Sequence, residues 1–180
     1  MLKARYLFFV ILLIQSCEMG QKPLVIGHRG AMGHETENTL ASVQKAIDLD
    51  VDQMEIDVFK IKSGEIVVFH DDTVERLTDG TGKIEEYTWE ELQKLNVQGG
   101  HKIRLLQEVL DVIDGKVGLN IELKGANTAA DTDRIMKEYV NGKGWRLDDF
   151  IISSFNWDEL RAMHVLNSEI RIAVLTGKDP

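Results

Sequence analysis

Apolar runs that are typical of β-strands recur along the chain, and four of them end directly in a cluster of charged residues. The clusters are His28-Arg29-Gly30, Glu55-Ile56-Asp57, His70-Asp71 and Glu122-Leu123-Lys124. Charged side chains are rarely buried unless they are paired or bind a metal. Ligands of α/β folds collect at the carboxyl ends of the strands. The clusters therefore predict a functional site at one edge of a sheet.

Predicted helices separate most of the predicted strands. We expect strands at about residues 24–27, 53–59, 117–123, 150–153 and 170–175. Apolar residues at helical spacing predict helices at about 39–49, at 105–113, around 135–140 and after Asn156. Capping-box signals begin at Thr88 and at Asn156, with Glu91 and Glu159 three residues later. This alternation indicates a parallel α/β sheet, and 180 residues suffice for one domain with a sizeable core.

The segment after the second strand breaks this alternation. Only residues 62–64 separate it from the apolar run 66–69. A parallel crossover needs about a dozen residues or more, so these two strands are predicted to form an antiparallel hairpin. With Ser63 and Gly64 as the loop, Asp57 lies opposite His70, and Glu55 shares their face. Residues from about 67 to 100 are then an insertion into the sheet.

The first residues are typical of a secretion signal. Lys3 and Arg5 precede the apolar run 6–14, which is too short to span a bilayer. The single cysteine, Cys17, follows in a segment that resembles a bacterial lipobox, in which the cysteine is lipidated. We expect a signal peptide over residues 1–16, a lipidated linker over 17–22 and a lipid-anchored protein of the cell envelope, periplasmic or in the outer membrane. The alternatives are an ordinary signal peptide with an incidental cysteine, or a plain membrane anchor.

The charge balance narrows the classes of partner. The formal net charge is -9 and no stripe of Lys or Arg is visible, which argues against nucleic acid as a partner. A phosphate-bearing small molecule is compatible with this total, because local cations such as Arg29 and Lys124 and a bound metal decide that interaction. With Cys17 acylated, no thiol remains for a disulfide or for catalysis.

Seven short motifs follow one another along the chain. They are His28-Arg29-Gly30, Glu37-Asn38-Thr39, Glu55-x-Asp57, His70-Asp71, Arg76-x-Thr78-x-Gly80-x-Gly82, Glu122-Leu123-Lys124 and Ser153-Ser154-Phe155. From residue 24 to its end the chain thereby resembles the glycerophosphodiester phosphodiesterase family. Thr36 departs from the family's usual proline, and Arg104-Leu105 from its usual Pro-Thr. The resemblance implies a (β/α)8 TIM-type barrel with a small insertion after its second strand, of which residues 23–180 hold about five barrel strands.

The resemblance also implies an activity, the metal-dependent hydrolysis of glycerophosphodiesters to glycerol 3-phosphate and an alcohol. Such cleavage needs a base for the nucleophile, an acid for the leaving alkoxide and positive charge near the phosphoryl oxygens. By match to the family, His28 and His70 are the acid/base pair, and Arg29 and Lys124 bind the phosphate. In the family the substrate's own glycerol hydroxyl attacks first, giving a cyclic phosphate that water then opens.

The metal ligands implied by the same match are Glu55, Asp57 and Glu122. Carboxylate oxygens favour Ca²⁺ or Mg²⁺ over zinc, so we expect one of these two ions. Other polar residues receive less specific interpretations. Glu37 and Asn38 either cap a helix or support the site, Asp71 and Arg76 are interpreted as structural, and Trp89 and Trp157 are assigned to the core.

Other functions stay open at this point. A closed barrel of this type has eight strands and typically about 250 residues. The chain could therefore be an inactive fragment, a lipoprotein that binds without cleaving, or a related phospholipase-type barrel that acts on intact lipid. Because the first and fifth predicted strands lack an outer neighbour, we expect the 180-residue chain to associate and to be nearly inactive.

Overall fold

The computed structural model describes residues 22–177. Cys17 and the predicted signal peptide lie outside the described residues. The β-strands are β1 (Ile26–Gly27), β2 (Gln53–Lys60), β3 (Ile66–Val68), β4 (Arg104–Leu105), β5 (Gly118–Leu123), β6 (Phe150–Ser154) and β7 (Arg171–Val174). The α-helices are α1 (Leu40–Asp48), α2 (Trp89–Leu92), α3 (Leu106–Ile113), α4 (Ala129–Gly142) and α5 (Trp157–Leu166). Short 3-10 turns lie at Ile84–Glu86, Gln98–Gly100 and Leu147–Asp149.

The parallel strands follow one another in chain order across the sheet. β1 pairs with β2, β2 with β5, β5 with β6 and β6 with β7, all in parallel. Each connection between successive parallel strands contains a helix, so this part of the chain repeats the βα unit from which a (β/α)8 barrel is built. The predicted fold class, with five barrel strands in this chain, is confirmed.

Successive side chains of the central strands point alternately toward the main hydrophobic core and toward the inside of the barrel. Met54, Ile56 and Val58 of β2 are fully buried in the main hydrophobic core, as are the corresponding apolar residues of β5. Successive side chains of a strand point to opposite faces. Glu55 and Asp57 therefore lie on the other face of β2. Burial of the apolar set thus directs both carboxylates into the barrel.

The predicted hairpin is present, but its register differs by one residue from the one we predicted. Lys60 pairs with Ile66 and Val58 with Val68, and the Phe69 amide donates to the Asp57 carbonyl at 3.0 Å. Phe69, not His70, thus lies opposite Asp57. The loop has three residues because Gly64 adopts a φ of +102° and the Lys62 amide donates to the Tyr87 carbonyl instead of pairing across the hairpin.

The segment between β3 and β4 has a hydrophobic core of its own. Buried apolar residues from β2, β3 and the loops form it, namely Phe59, Ile61, Val67, Phe69, Val74, Leu77, Ile84, Leu92, Val97 and Ile103. β4 pairs antiparallel with β3, outside the run of parallel strands. Phe69, which directly precedes His70, is buried in this second core and so anchors the chain next to the histidine.

Helix caps agree in part with the sequence signals. Thr39 caps α1 and forms a capping box with Ser42, and Thr88 forms the predicted box with Glu91. Asn156 caps α5, but the predicted box with Glu159 is absent. The Glu159 carboxylate instead accepts the Asn127 and Ala129 amides at 2.6 and 2.9 Å, at the start of α4. Amides at a helix start lack an acceptor within the helix, and the Ala129 amide is buried, so the carboxylate satisfies it from across the chain.

Two edges of the sheet carry exposed apolar side chains. Leu24 and Val25 precede β1, and Ile172 and Val174 belong to β7. Trp157, which we assigned to the core, is 51% exposed beside β7, and its indole donates to the Leu175 carbonyl at 3.1 Å. Within residues 22–177, none of the helices has the length and apolar character needed to cross a bilayer.

Candidate active site

A left-handed turn at the end of β1 places the first cluster. Arg29 and Gly30 have φ values of +52° and +75°. A Cβ on Gly30 would lie 2.5 Å from the Ser42 Oγ, so only glycine lets the turn pack this closely on α1. The Arg29 amide donates to Glu55 Oε2 at 2.9 Å, and the His28 Nε2 lies 3.7 Å from the same oxygen. The turn therefore fixes His28 and Arg29 against β2.

Three carboxylates from the paired strands β2 and β5 meet on one face of the sheet. Asp57 and Glu122 are register partners, and Glu55 lies two residues before Asp57 on the same face. One carboxylate oxygen from each of the three lies within 4.8 Å of the others. Glu55 and Asp57 are buried and Glu122 is half-buried. The strand register alone is enough to bring these three groups together.

Burial and mutual repulsion make two of these carboxylates reluctant to ionise. Burial raises the pKa of Glu55 to about 8, and the neighbouring charges of Asp57 and Glu122 add to this. Burial also raises the pKa of Asp57, although a hydrogen bond from the Asn38 amide group, at 2.9 Å, opposes the shift. Buried carboxylates that repel one another are stabilised by a cation, so the cluster favours one.

Lys124 and His70 border the carboxylates. The Lys124 Nζ lies 3.1 Å from Glu122 Oε1, 3.8 Å from Asp57 Oδ1 and 3.3 Å from His70 Nε2. An ammonium group can only donate, so His70 Nε2 accepts and the ring proton lies on Nδ1. This assignment agrees with the 2.5 Å contact between Nδ1 and Asp71 Oδ1.

The Arg29 side chain is shared between two acids. Its Nη1 donates to Glu37 Oε1 at 2.8 Å, and its Nε lies 3.6 Å from Asp57 Oδ2. The Nε atom is buried and has no hydrogen-bond partner among the described residues. An unsatisfied guanidinium donor at this position suits an oxyanion such as phosphate.

The structure brings all seven predicted site residues of the described chain into one region. His28 and Arg29 contact Glu55, and Lys124 joins Glu122 and Asp57 to His70. Two further residues connect them, of which the sequence interpretation left Asn38 open between helix cap and support of the site and took Arg76 as structural. Asn38 donates to the Asp57 carboxylate, and Arg76 binds Glu37 and Asp71. The only signal for either was a place in a family motif.

The carboxylate cluster fits a divalent cation. Glu55 Oε1 is buried without a hydrogen-bond partner among the described residues, which is costly for a polar atom. The ligand set is all oxygen, which suits Ca²⁺ or Mg²⁺. Glu55, Asp57 and Glu122 would hold the ion, and Lys124 would remain as a fixed cation beside it.

Comparison with known proteins gives one consistent result. The family model described as "Glycerophosphoryl diester phosphodiesterase family" matches residues 28–180. A glycerophosphodiester phosphodiesterase of Caldanaerobacter subterraneus subsp. tengcongensis is 35% identical over 165 residues, which are 86% of this chain and 67% of that protein. One from Bacillus altitudinis is 31% identical over 163 residues, 84% of this chain and 66% of the relative.

Solved structures agree with the sequence relatives. A phosphodiesterase of Oleispira antarctica, in complex with the product sn-glycerol-3-phosphate, is 34% identical with a TM-score of 0.78, over 88% of this chain and 68% of that one. The chain spans about two thirds of the length of the relatives it matches. A family match over nearly all described residues, together with this structural likeness, places the chain in the glycerophosphoryl diester phosphodiesterase family.

Proposed function

We propose that this protein hydrolyses glycerophosphodiesters to glycerol 3-phosphate and an alcohol. The observation that carries the proposal is the meeting of Glu55, Asp57 and Glu122 on the paired strands β2 and β5, with His70 and Lys124 beside them. Relatives named glycerophosphodiester phosphodiesterase, and a solved relative in complex with sn-glycerol-3-phosphate, support this substrate class.

His70 is the proposed base. Its proton lies on Nδ1, toward Asp71, so Nε2 has a lone pair on the side of Lys124 and the carboxylates. In the first step this Nε2 takes the proton from the glycerol hydroxyl that attacks phosphorus. The bond to the leaving alkoxide breaks as the new P–O bond forms, which gives a cyclic phosphate.

His28 is the proposed acid. Its side chain is 60% exposed beside Glu55, so a leaving group can reach it. It donates a proton to the departing alkoxide, which leaves as the alcohol. In the second step His28 takes a proton from water and the water oxygen attacks phosphorus. The bond from phosphorus to the glycerol oxygen that attacked in the first step breaks, and His70 returns its proton to that oxygen. Both histidines then have their starting protonation states.

Positive charge at the phosphate comes from three sources in this proposal. Arg29 has an unsatisfied Nε–H, and Lys124 supplies a fixed ammonium group. A divalent cation, Ca²⁺ or Mg²⁺, bound by the three carboxylates would supply further positive charge to the phosphoryl oxygens as negative charge develops there.

The activity is tested with glycerophosphocholine on the complete eight-stranded enzyme, because the 180-residue chain with its five barrel strands is expected to be nearly inactive. We expect release of glycerol 3-phosphate and choline, and a loss of about 10²–10⁴-fold in rate for His28→Ala and for His70→Ala. His164→Ala, on the exposed side of α5, is the matched control and keeps the parent's rate. Absence of hydrolysis by the parent, or a folded His70→Ala variant at full rate, contradicts the proposal.

We further propose that Cys17 is acylated and anchors the protein in the cell envelope. The proposal is supported by the sequence alone, in which Cys17 follows the apolar run 6–14 and ends a lipobox-like segment. Expression of the parent and of Cys17→Ser, followed by cell fractionation, tests it. The variant should leave the membrane fraction, and equal membrane retention of both proteins contradicts lipidation.

A further inference from the structure

One guanidinium group joins two loops that each contribute to the candidate active site. Arg76 lies in the loop after β3, and its Nη1 and Nη2 donate to Glu37 Oε2 and Oε1 at 2.9 and 2.6 Å. The same guanidinium donates to Asp71 through Nε and through Nη2, the latter at 3.1 Å. Glu37 belongs to the loop before α1, so the link spans 39 residues of sequence.

Each carboxylate held by Arg76 also holds a proposed functional residue. Asp71 Oδ1 contacts His70 Nδ1 at 2.5 Å, and Glu37 Oε1 accepts Arg29 Nη1 at 2.8 Å. The five groups form a hydrogen-bonded chain that runs from Arg29 through Glu37, Arg76 and Asp71 to His70, with alternating charge over the first four groups and the neutral imidazole at its end. The ring that acts as base and the guanidinium that binds phosphate are thereby connected through one residue that contacts neither of them.

Arginine suits this position and lysine does not. A guanidinium is planar and presents five N–H donors in a fixed fork, so it can bind two carboxylates in pairwise fashion at the same time. An ammonium is a compact point charge that fixes no such orientation. Arg76 makes four contacts to two carboxylates, which uses four of its five N–H donors.

The loop does not depend on this side chain for its fold. Val74 and Leu77, on either side of Arg76, are buried in the second core. The Arg76 carbonyl accepts the Gln98 amide group at 2.8 Å, and the Val74 amide donates to the Gly82 carbonyl at 3.0 Å. The Arg76 side chain itself is 47% exposed. Its removal therefore leaves the loop with its backbone contacts and core residues.

We propose that Arg76 is a positioning residue, which fixes the His70 ring through Asp71 and the Arg29 guanidinium through Glu37. The roles that we give to His70 and Arg29 rest on the proposed function, whereas the link itself rests on the contacts. Arg76 would set the orientation of the base relative to the phosphate-binding group, and a misplacement of about 1 Å can cost about 10²-fold in rate.

The first test measures the His70 ring without any substrate. We expect ¹⁵N resonances of the His70 imidazole, recorded at one pH on the full chain, to show the proton on Nδ1 in the parent. Arg76→Gln should move both nitrogen shifts toward those of a mixture of tautomers, and Arg76→Lys should move them less. Arg146→Ala, which removes a paired contact to Asp149 far along the chain, is the control and should leave them unchanged.

A double-mutant cycle separates positioning from a general loss of structure. In an Asp71→Asn background, Arg76→Gln should change the His70 shifts little further, because the link is already broken. If Arg76→Gln still changes the His70 shifts by the full amount in that background, the link through Asp71 is overturned. Unchanged His70 shifts in both single Arg76 variants overturn the proposal outright.

The second test measures the Arg29 side of the link and the rate. In the complete eight-stranded enzyme, Arg76→Gln should weaken binding of sn-glycerol 3-phosphate about threefold to tenfold by calorimetry and lower kcat for glycerophosphocholine by about 10- to 100-fold. Unchanged affinity overturns the link through Glu37. A parent that neither binds glycerol 3-phosphate nor hydrolyses the diester contradicts the proposed function, and the His70 resonances still decide the role of Arg76.

Discussion

Asp57 and Glu122 are direct register partners on the parallel strands β2 and β5. Parallel strands end at the same edge of a sheet, so this pairing places two acidic side chains side by side in the barrel interior. Like charges at such a distance oppose ionisation, and the chain compensates with Lys124 and Asn38. The pairing therefore creates a strong local demand for a cation.

Addition of a divalent cation should stabilise the protein. At a hundred times the dissociation constant, Ca²⁺ or Mg²⁺ bound only by the folded state raises the free energy of unfolding by about 2.7 kcal/mol. Glu122→Gln keeps the shape of the side chain but removes a charge, so the stabilisation should fall sharply. Thermal unfolding with and without the ion measures it. Glu138→Gln, on an exposed side chain of α4, is the control, and equal stabilisation of both variants would rule out this cluster.

The stability of the metal-free protein should depend on Glu55. Its pKa is raised from 4.5 to about 8, so its contribution to stability is fully present below pH 4.5 and is lost as the pH rises through 8. Glu55→Gln removes the charge, and the variant should lose less stability than the parent between pH 5 and pH 9. Urea unfolding in the presence of a chelator measures this. Parallel pH profiles for the two proteins would show that Glu55 ionises without cost.

The ionisation of Asp71 should change stability with pH in the direction opposite to that of Glu55. Hydrogen bonds from Arg76, and to a smaller extent from His70, lower the pKa of Asp71 to about 2. Its contribution is present above pH 3.8 and is lost as the pH falls through about 2. Asp71→Asn should flatten the loss of stability on acidification in that range. Unfolding midpoints in urea at pH 4 and pH 2 measure the effect, and equal losses in parent and variant would contradict it.

Glu159 should stabilise the start of α4. It accepts the Asn127 and Ala129 amides and the Thr128 hydroxyl, and it is 8% exposed. Glu159→Ala leaves the buried Ala129 amide without an acceptor, which costs about 1–3 kcal/mol in the free energy of unfolding. Denaturant titration measures this. Glu138→Ala, as an exposed control, should change stability by about 0.5 kcal/mol or less, and an equally small change for Glu159→Ala would refute the capping role.

Much of the fold was predictable because the apolar pattern of each strand dictates which side chains are buried. Met54, Ile56 and Val58 define one face of β2, and this alone places Glu55 and Asp57 on the other. The hairpin register was not predictable, because it depends on the positive φ of Gly64 and on a long-range bond between Lys62 and Tyr87. The spacing of residues along the hairpin indicates neither the backbone conformation of Gly64 nor the contact with Tyr87.

Long-range polar contacts were the other part that the sequence could not supply. Arg76 reaches Glu37 across 39 residues, and Glu159 reaches Ala129 across 30 residues instead of capping its own helix. A long flexible side chain has several acceptors within reach, and only the packed fold decides among them. Trp157 shows the same limit for apolar groups. Its helical spacing assigned it to the core, but the side chain lies beside β7 and is 51% exposed.

The residues of the candidate site lie on segments that pack against two different hydrophobic cores. His70 and Arg76 belong to the segment built around the second core, whereas Glu55, Asp57 and Glu122 belong to strands packed on the first. Proteins open in such contiguous units with different free energies. If the smaller core opened first, the base would leave while the carboxylates kept their ion. Mild heat would then give a species that still binds its metal and no longer turns over, so inactivation would precede metal release.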